Sequence, residues 1–295
     1  MKKLFGFYVL GYKGYSSLRK FIEVFGSDQI SFVISDRDNN IKQDFYDSIE
    51  LLCKKNGIVF NNRKNALESE VYLKFAIGWR WIIKNEENLI VFHDSLLPEY
   101  RGFAPLVNAL INGEKKIGVT ALKAQSEYDA GDIVDQRSIS VRYPKKISEA
   151  IQEVAELYGE LLIEICNNVL DGNGLNFVAQ DASLATYSPW RNADDYKINW
   201  SRSAEYIARF IDAVGDPYNG AETSMNGSVV WILDSQVVSD VEVEDRLSHV
   251  GKVIFMNDGM PTVICGRGLL RLKRIVGEQG AGLEGKIPFR TKFGA

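Results

Sequence analysis

From residue 1 to about residue 135 the chain alternates short apolar runs with amphipathic stretches, and this alternation limits the fold more than any other feature. Apolar runs bounded by glycine and polar turns read as buried strands. Helical stretches between them lay those strands side by side in an open α/β sheet. Leu4–Leu10 reads as a strand, Gly11-Tyr-Lys-Gly14 as a turn into a helix around Ser16–Phe25, and Ile30–Ile34 as a second strand. A helix over Phe45–Asn56 stops at Gly57, and strands follow at Val71–Ile77 and Leu89–Phe92. Pro105–Asn112 reads as a short helix with proline near its first position, a residue that needs no backbone donor there. Strands at Gly118–Lys123 and Ile133–Val141 and a long helix over Ile147–Asp171 complete this half.

Beyond Gly172 the texture changes. Tyr187–Asn199 is polar and turn-rich and reads as a linker, followed by an amphipathic helix over Ser203–Val214. Short strands then recur at Gly220–Met225, Val229–Val238, Gly251–Phe255, Thr262–Cys265 and Leu269–Val276, a spacing that suggests a small barrel. A chain of 295 residues suits two domains, expected at 1–190 and 191–295.

Composition narrows the function. With 45% hydrophobic and 25% charged residues the chain is an ordinary globular protein, which excludes collagen, disorder and a disulfide miniprotein. The net charge of −4 disfavours nucleic acid as the main partner, since such proteins are usually basic. Met1-Lys2-Lys3 before Leu4–Leu10 has the outline of a signal peptide. The run is too short, contains Gly6 and meets Lys13 at once, so a buried strand is the better reading. No stretch reaches the roughly 20 apolar residues of a membrane span. The 3 cysteines, Cys53, Cys166 and Cys265, are far apart, so neither a metal site nor a disulfide framework is expected, and the default compartment is the reducing cytoplasm.

Only 2 histidines are present, His93 and His249. His93 directly follows a buried strand, at the carboxyl edge where ligands of α/β sheets bind. A lone histidine there is commonly a structural cap. Asp129, in the acidic turn Glu127-Tyr-Asp-Ala-Gly-Asp132, would return to the same edge, and a carboxylate beside imidazole orients it and favours its charged form. Such a turn by itself is usually a solvated loop. His249 has no partner motif and is expected in a loop.

His93-x-Ser95-Leu96-Leu97-Pro98, Tyr100-Arg101-Gly102, Gly118-Val119-Thr120 and Asp129-x-Gly131-Asp132-Ile133 together resemble the folate-dependent formyltransferases, at the spacing of that family. Trp200-Ser201 and Asp216-Pro-Tyr-Asn-Gly-Ala221 resemble the C-terminal domain of its methionyl-tRNA and amino-arabinose branch. The resemblance implies a Rossmann-like open-sheet formyltransferase domain followed by an OB-like β-barrel. It also implies N10-formyltetrahydrofolate as co-substrate, with no metal. The acceptor amine would attack the formyl carbon to form a tetrahedral oxyanion, with His93 moving protons and Asp129 supporting it. By the same resemblance Trp81, Ile82, Ile83, Gln125, Ser126, Glu127 and Tyr128 form the folate slot, and Ser95, Tyr100 and Arg101 lie by the acceptor. Taken alone, Gly78-Trp-Arg-Trp81 reads as core packing and Arg101 as a loop brace.

Three positions depart from the family. Val91 stands where the resemblance implies an asparagine that donates to the oxyanion, and loss of one such donor costs about 2.7–4 kcal/mol. A backbone N–H, a water or a side chain such as Asn108 is a candidate substitute; otherwise turnover is slow or absent. Asp94 replaces a proline or glycine of many relatives and adds a carboxylate beside His93. Phe103 replaces an arginine that touches folate in some sugar-modifying relatives.

For the acceptor, the tRNA-acting branch carries a basic insertion after the second strand, whereas this chain has Ser35-Asp-Arg-Asp-Asn-Asn40. A nucleotide-linked amino sugar is therefore favoured. Methionyl-tRNA, hydrolysis of formyltetrahydrofolate, and folate or nucleotide binding without catalysis remain alternatives. Arg267, Arg271, Lys273, Arg274, Lys286, Arg290 and Lys292, against Glu278 and Glu284, read as a solvated basic face or a phosphate contact. Oligomeric state is open, although family members often pair through the smaller domain.

Overall fold

The computed structural model describes residues 3–39, 41–283 and 285–294, so Met1, Lys2, Asn40 and Glu284 of the sequence readings lie outside the described residues. The chain forms two compact units. One comprises Met1–Leu106, Lys115–Val141 and Glu149–Pro189, the other Val107–Glu114, Arg142–Ser148 and Trp190–Ala295.

The first unit is built on β1 (Phe5–Val9), β2 (Ile30–Ser35), β3 (Phe60–Asn62), β4 (Leu73–Ile77), β5 (Leu89–His93), β7 (Lys116–Lys123) and β8 (Ile133–Ser140). A two-residue strand β6 (Arg101–Gly102) lies outside that sheet. The order across the main sheet is β3-β2-β1-β4-β5-β7-β8. The five strands from β3 to β5 run parallel, while β7 and β8 join antiparallel.

β1 reads as an unbroken apolar run because both its faces are covered, as in parallel sheets generally. Phe5 and Phe7 pack edge-on against Phe21 of helix α1 (Gly11–Phe25), at 5.5 and 5.0 Å between ring centres. On the opposite face Tyr8 joins Phe32, Ile34, Ala76 and Leu89, and Val71, Trp79, Ile83, Val91 and Ala124 pack against that cluster. Helices α2 (Tyr46–Lys55) and α4 (Ile147–Leu170) complete the set before β9 (Tyr187–Ser188), whereas α3 (Pro105–Asn112) falls in the second unit from Val107 on. β9 pairs in parallel with β6, so the expected linker begins as a strand.

In the second unit, α5 (Ala204–Ala213) starts at Ser203, whose hydroxyl accepts from Tyr206 N and satisfies one exposed helix donor. β10 (Ala221–Met225), β11 (Ser228–Val238), β12 (Val253–Asn257), β13 (Met260–Ile264) and β14 (Leu269–Val276) form an antiparallel sheet, ordered β10-β11-β14-β13-β12. The expected barrel is, among the described residues, an open five-stranded sheet, since β10 and β12 are not laddered together. The chain beyond residue 290 makes single bridges to Lys252 at one edge and Met225 at the other.

Candidate functional site

The carboxyl edge of β5 carries the candidate chemistry. His93 pairs with Thr120 of β7 and is 7% exposed, so its ring is held by protein rather than by solvent. Nε2 lies 2.8 Å from the carbonyl of Tyr100. A carbonyl only accepts, so that nitrogen carries a proton and the other one, Nδ1, is turned to Asp129. Nδ1 stands 3.4 Å from Asp129 Oδ1; in the neutral ring both atoms are acceptors, and Nδ1 donates to that carboxylate only once it has taken up a proton.

Asp129 is fixed independently of the histidine. Its backbone is left-handed, with φ of 53°, a conformation aspartate tolerates better than most residues, and its Oδ2 accepts from Gly102 N at 2.8 Å. Gly131 lies so close to the end of β7 that a Cβ would sit 1.8 Å from the Lys123 carbonyl, which makes glycine obligatory in the turn. Gly102 has φ of 98°, and a side chain there would strike the Ser188 carbonyl at 2.6 Å.

Gln180, not singled out by sequence, links both halves of this loop pair. Its amide donates to the carbonyls of Asp129 and Gly131 at 2.8 and 2.7 Å, and its Oε1 accepts from Arg101 Nε and Nη2 at 3.1 and 2.8 Å. Arg101 is buried and occupied by that contact, so it braces the loop through an amide rather than an ion pair. Tyr100 N donates to Thr186 Oγ1 at 2.8 Å, and Ser95 Oγ donates to the Glu99 carbonyl at 2.6 Å. Thr120 Oγ1 takes Leu97 N and gives to the Ser95 carbonyl, and Gln136 donates to both Thr120 Oγ1 and the Leu97 carbonyl. No sequence motif announces Gln180 or Thr186, because their partners are 49 to 88 residues away along the chain.

Asp94 turns its carboxylate to Lys13 and to the hydroxyl of Tyr158. Burial would raise its carboxyl, but the Lys13 charge and the two hydrogen bonds outweigh burial and hold it below the usual carboxylate range. The charge foreseen beside His93 is therefore already partnered.

The two segments expected to hold a cofactor are differently placed. Ile82 is 72% and Tyr128 67% exposed, and Gln125, Ser126 and Glu127 are exposed as well. Trp81 meets Trp79 edge-to-face at 5.0 Å and lies under the Arg63 guanidinium at 4.5 Å, while Ile83 packs on the Tyr8 cluster. The indole N–H of Trp79 is buried without a hydrogen-bond partner. An apolar wall with an unused indole donor and exposed side chains at its rim fits a flat heteroaromatic ligand with polar edges.

Val91 joins that apolar wall. Asn108 falls in the second unit, where its Oδ1 accepts from Arg191. Phe103 is 56% exposed. Among the described residues no cluster of three or more His, Cys, Asp or Glu side chains is placed to hold a metal ion, and no helix is long and apolar enough to cross a membrane. His249 is half-buried, with Nδ1 2.9 Å from Lys252 Nζ.

Comparison with known proteins gives two domain matches: formyl transferase over residues 71–166, and formyl transferase C-terminal domain over residues 191–291. The methionyl-tRNA formyltransferase of Lactococcus lactis subsp. cremoris is 32% identical over 181 residues, which is 61% of this chain. That of Syntrophomonas wolfei is 34% identical over 183 residues, or 62% of this chain. The chain spans only 55% and 57% of the lengths of these relatives. Among solved structures, an N-formyltransferase from Helicobacter canadensis in complex with folinic acid and dTDP-3-aminofucose superimposes with a TM-score of 0.70 at 18% identity. The superposition covers 92% of this chain and 99% of that one. HypX from Aquifex aeolicus in complex with tetrahydrofolic acid gives a TM-score of 0.62 at 19% identity, over 96% of this chain and 45% of that one.

Proposed function

The chain belongs to the formyl transferase family, and on that premise we propose that it transfers a formyl group from N10-formyltetrahydrofolate to the amine of a nucleotide-linked amino sugar. The observation that carries the reading is the His93–Asp129 pair, buried at the sheet edge and held by partners of its own. Bound folate would supply the formyl carbon, with Trp81, Ile82, Ile83 and Gln125 through Tyr128 as the residues to hold it. His93 Nε2 keeps its proton on Tyr100, so Nδ1, facing Asp129, is the nitrogen able to take up the proton an acceptor amine gives off. Asp129 then faces a cationic ring and stabilises it, while Gly102 N keeps the carboxylate from turning away. Ser95, Tyr100 and Arg101 act as the frame of the acceptor side rather than as its contacts.

A small acceptor is supported by the pairing of cations on the edge beyond β2. Arg37 meets Asp44 and Asp47, Arg63 meets Asp36, and Arg80 meets Asp38. A phosphate backbone needs unneutralised cations, and these are each turned to a carboxylate. Of the C-terminal cations, Arg267 faces Glu205 and Lys273 faces Asp234, carboxylates absent from the sequence tally. The second reading, methionyl-tRNA as acceptor, is favoured by the sequence identity to methionyl-tRNA formyltransferases. A homodimer and a cytoplasmic location go with the proposal.

The test is incubation with N10-formyltetrahydrofolate and a panel of UDP-, dTDP- and GDP-linked amino sugars, beside methionyl-tRNA, following folate absorbance and product mass. A formylated sugar supports the proposal, and formylated tRNA alone replaces the acceptor. Folate consumed without acceptor points to a hydrolase, and folate bound without turnover to a binding protein.

A further inference from the structure

The second unit carries a concavity of about 440 Å³ lined by Ser201–Ser203, Tyr206, Arg209 and Gly266–Arg267. Three guanidinium groups, those of Arg202, Arg209 and Arg267, meet there in a chain whose net charge is −4. Two loops and one helix bring them together. Gly266 N, in the turn between β13 and β14, donates to the carbonyls of Trp200 and Arg202 at 2.9 Å each, and Ala204 N donates to the Arg267 carbonyl at 2.8 Å. Tyr206 and Arg209 lie three residues apart on α5 and so share a face of it.

Each guanidinium is held without being used up. Arg209 Nε donates to the Ile111 carbonyl at 2.9 Å, which fixes the side chain, and among the described residues its two terminal nitrogens make no further hydrogen bond. The Arg202 guanidinium lies 4.4 Å from the centre of the Tyr206 ring, a contact that orients the planar group and leaves its N–H groups for another partner. Arg267 faces Glu205 at 3.7 Å, beyond hydrogen-bond length, with 79% of its side chain in solvent. Among the described residues that is the one ion pair made by the three arginines.

Glu205 shows that the place draws an anion. Its own backbone N–H, then the Ser203 hydroxyl and the charges of Arg267 and Arg209, outweigh burial and hold its carboxyl below the usual carboxylate range. One carboxylate leaves most of the positive charge unmatched, and like charges gathered in one concavity repel unless an anion shares them. The donors at the start of α5 add little, because Ser203 Oγ already takes Tyr206 N.

We propose that this concavity binds the diphosphate group of a small phosphorylated ligand, with Arg202, Arg209 and Arg267 as its donors. A guanidinium presents paired N–H groups to two phosphate oxygens, so three of them match about six oxygens, the number a diphosphate offers at its periphery and a single phosphate does not. The volume is that of a small-molecule pocket. With Tyr206 engaged by Arg202, recognition falls on phosphate rather than on a nucleobase. An RNA backbone is followed by a stripe of cations, whereas these three meet at one point. The bound ligand displaces the Glu205 carboxylate from Arg267. The inference concerns the second unit alone and does not rest on the formyl-transfer reading.

The test is isothermal titration of the full chain with inorganic pyrophosphate, beside inorganic phosphate and a single-stranded RNA oligonucleotide. Pyrophosphate is expected to bind about tenfold or more tighter than phosphate, and less tightly as salt is raised. Arg202→Gln and Arg267→Gln should each weaken it about tenfold, the effect of one charged hydrogen-bonded contact. Glu205→Gln should strengthen it about threefold, because the competing carboxylate is gone. All three side chains are exposed, so melting curves should stay in place, and the opposite signs separate a lost contact from a lost fold. Pyrophosphate binding that ignores the three substitutions, or that weakens in Glu205→Gln, overturns the inference. So does RNA held by these arginines that pyrophosphate fails to displace.

Discussion

On one side of His93, residues 94–102 are tied at almost every polar atom, by Thr120 and Gln136 beneath, Gln180 and Thr186 across, and Lys13 and Tyr158 behind. On the other side, Ile82 and Gln125–Tyr128 present exposed side chains, and the indole N–H of Trp79 is buried with no partner. The groups proposed to move a proton are over-determined by the fold. Those proposed to grip a ligand are left with unused surface. A proton-transfer pair loses rate when its geometry loosens by a fraction of an ångström, whereas a slot gains its order from what fills it.

Substitutions on the two sides should therefore fail differently, and the largest effect is expected on the rigid side. His93→Asn should lower kcat by roughly 10³-fold or more while folate affinity, by fluorescence quenching, stays within a few fold; retained turnover would remove His93 from the mechanism. Gln180→Ala strips two carbonyls and the buried Arg101 of their partner and is expected to cost about 1–3 kcal/mol in urea unfolding, with kcat falling alongside. An unchanged midpoint would mean that water replaces the amide.

Val91→Asn crosses from one side to the other. It restores the missing donor within an apolar cluster, so kcat is expected to rise about tenfold while stability falls by about 1 kcal/mol. No gain in single-turnover rate would show that another donor already serves the oxyanion. Acid should also separate the sides. The Asp94 carboxyl is held low in the fold, so its stabilisation is full above the unfolded value of about 3.9 and is lost as pH falls toward the folded one. Melting temperatures of the unaltered protein should drop below about pH 4, and those of Asp94→Asn should drop less. The smallest effect is expected on the open side, where Ile82→Ala should weaken folate binding about threefold and leave the melting curve unchanged, since this side chain is mostly in solvent.

The same contrast explains what could be read in the sequence. Most strands and helices through Val141 were legible, because a long buried strand is a local apolar run, whereas β3 and β6 were not, because their three and two residues form no such run. His93 and Asp129 were legible from local motifs that the fold brings to one edge. Gln180, Thr186 and the strand at Tyr187–Ser188 were not, because a polar, turn-rich stretch says nothing about which distant carbonyl it will meet. The Lys13–Asp94–Tyr158 contact was hidden for the same reason, with 64 and 81 residues separating the partners of Asp94 from it along the chain. The open edge of the second sheet was missed because strand spacing gives the number of strands and not whether the first meets the last.

The pairing of β6 with β9 bears on how this site comes into being on the ribosome. Arg101 and Gly102 are synthesised some 86 residues before Tyr187 and Ser188, and Gln180 also arrives late. A nascent chain can therefore fold the strand that bears His93 well before it can lock the loop after it, since a contact so distant in sequence carries a closure cost that only its late partners can offset. Release of a shortened chain ending ahead of Gln180 should yield a sheet with its histidine in place and its aspartate unmoored, an inert species rather than a weak enzyme.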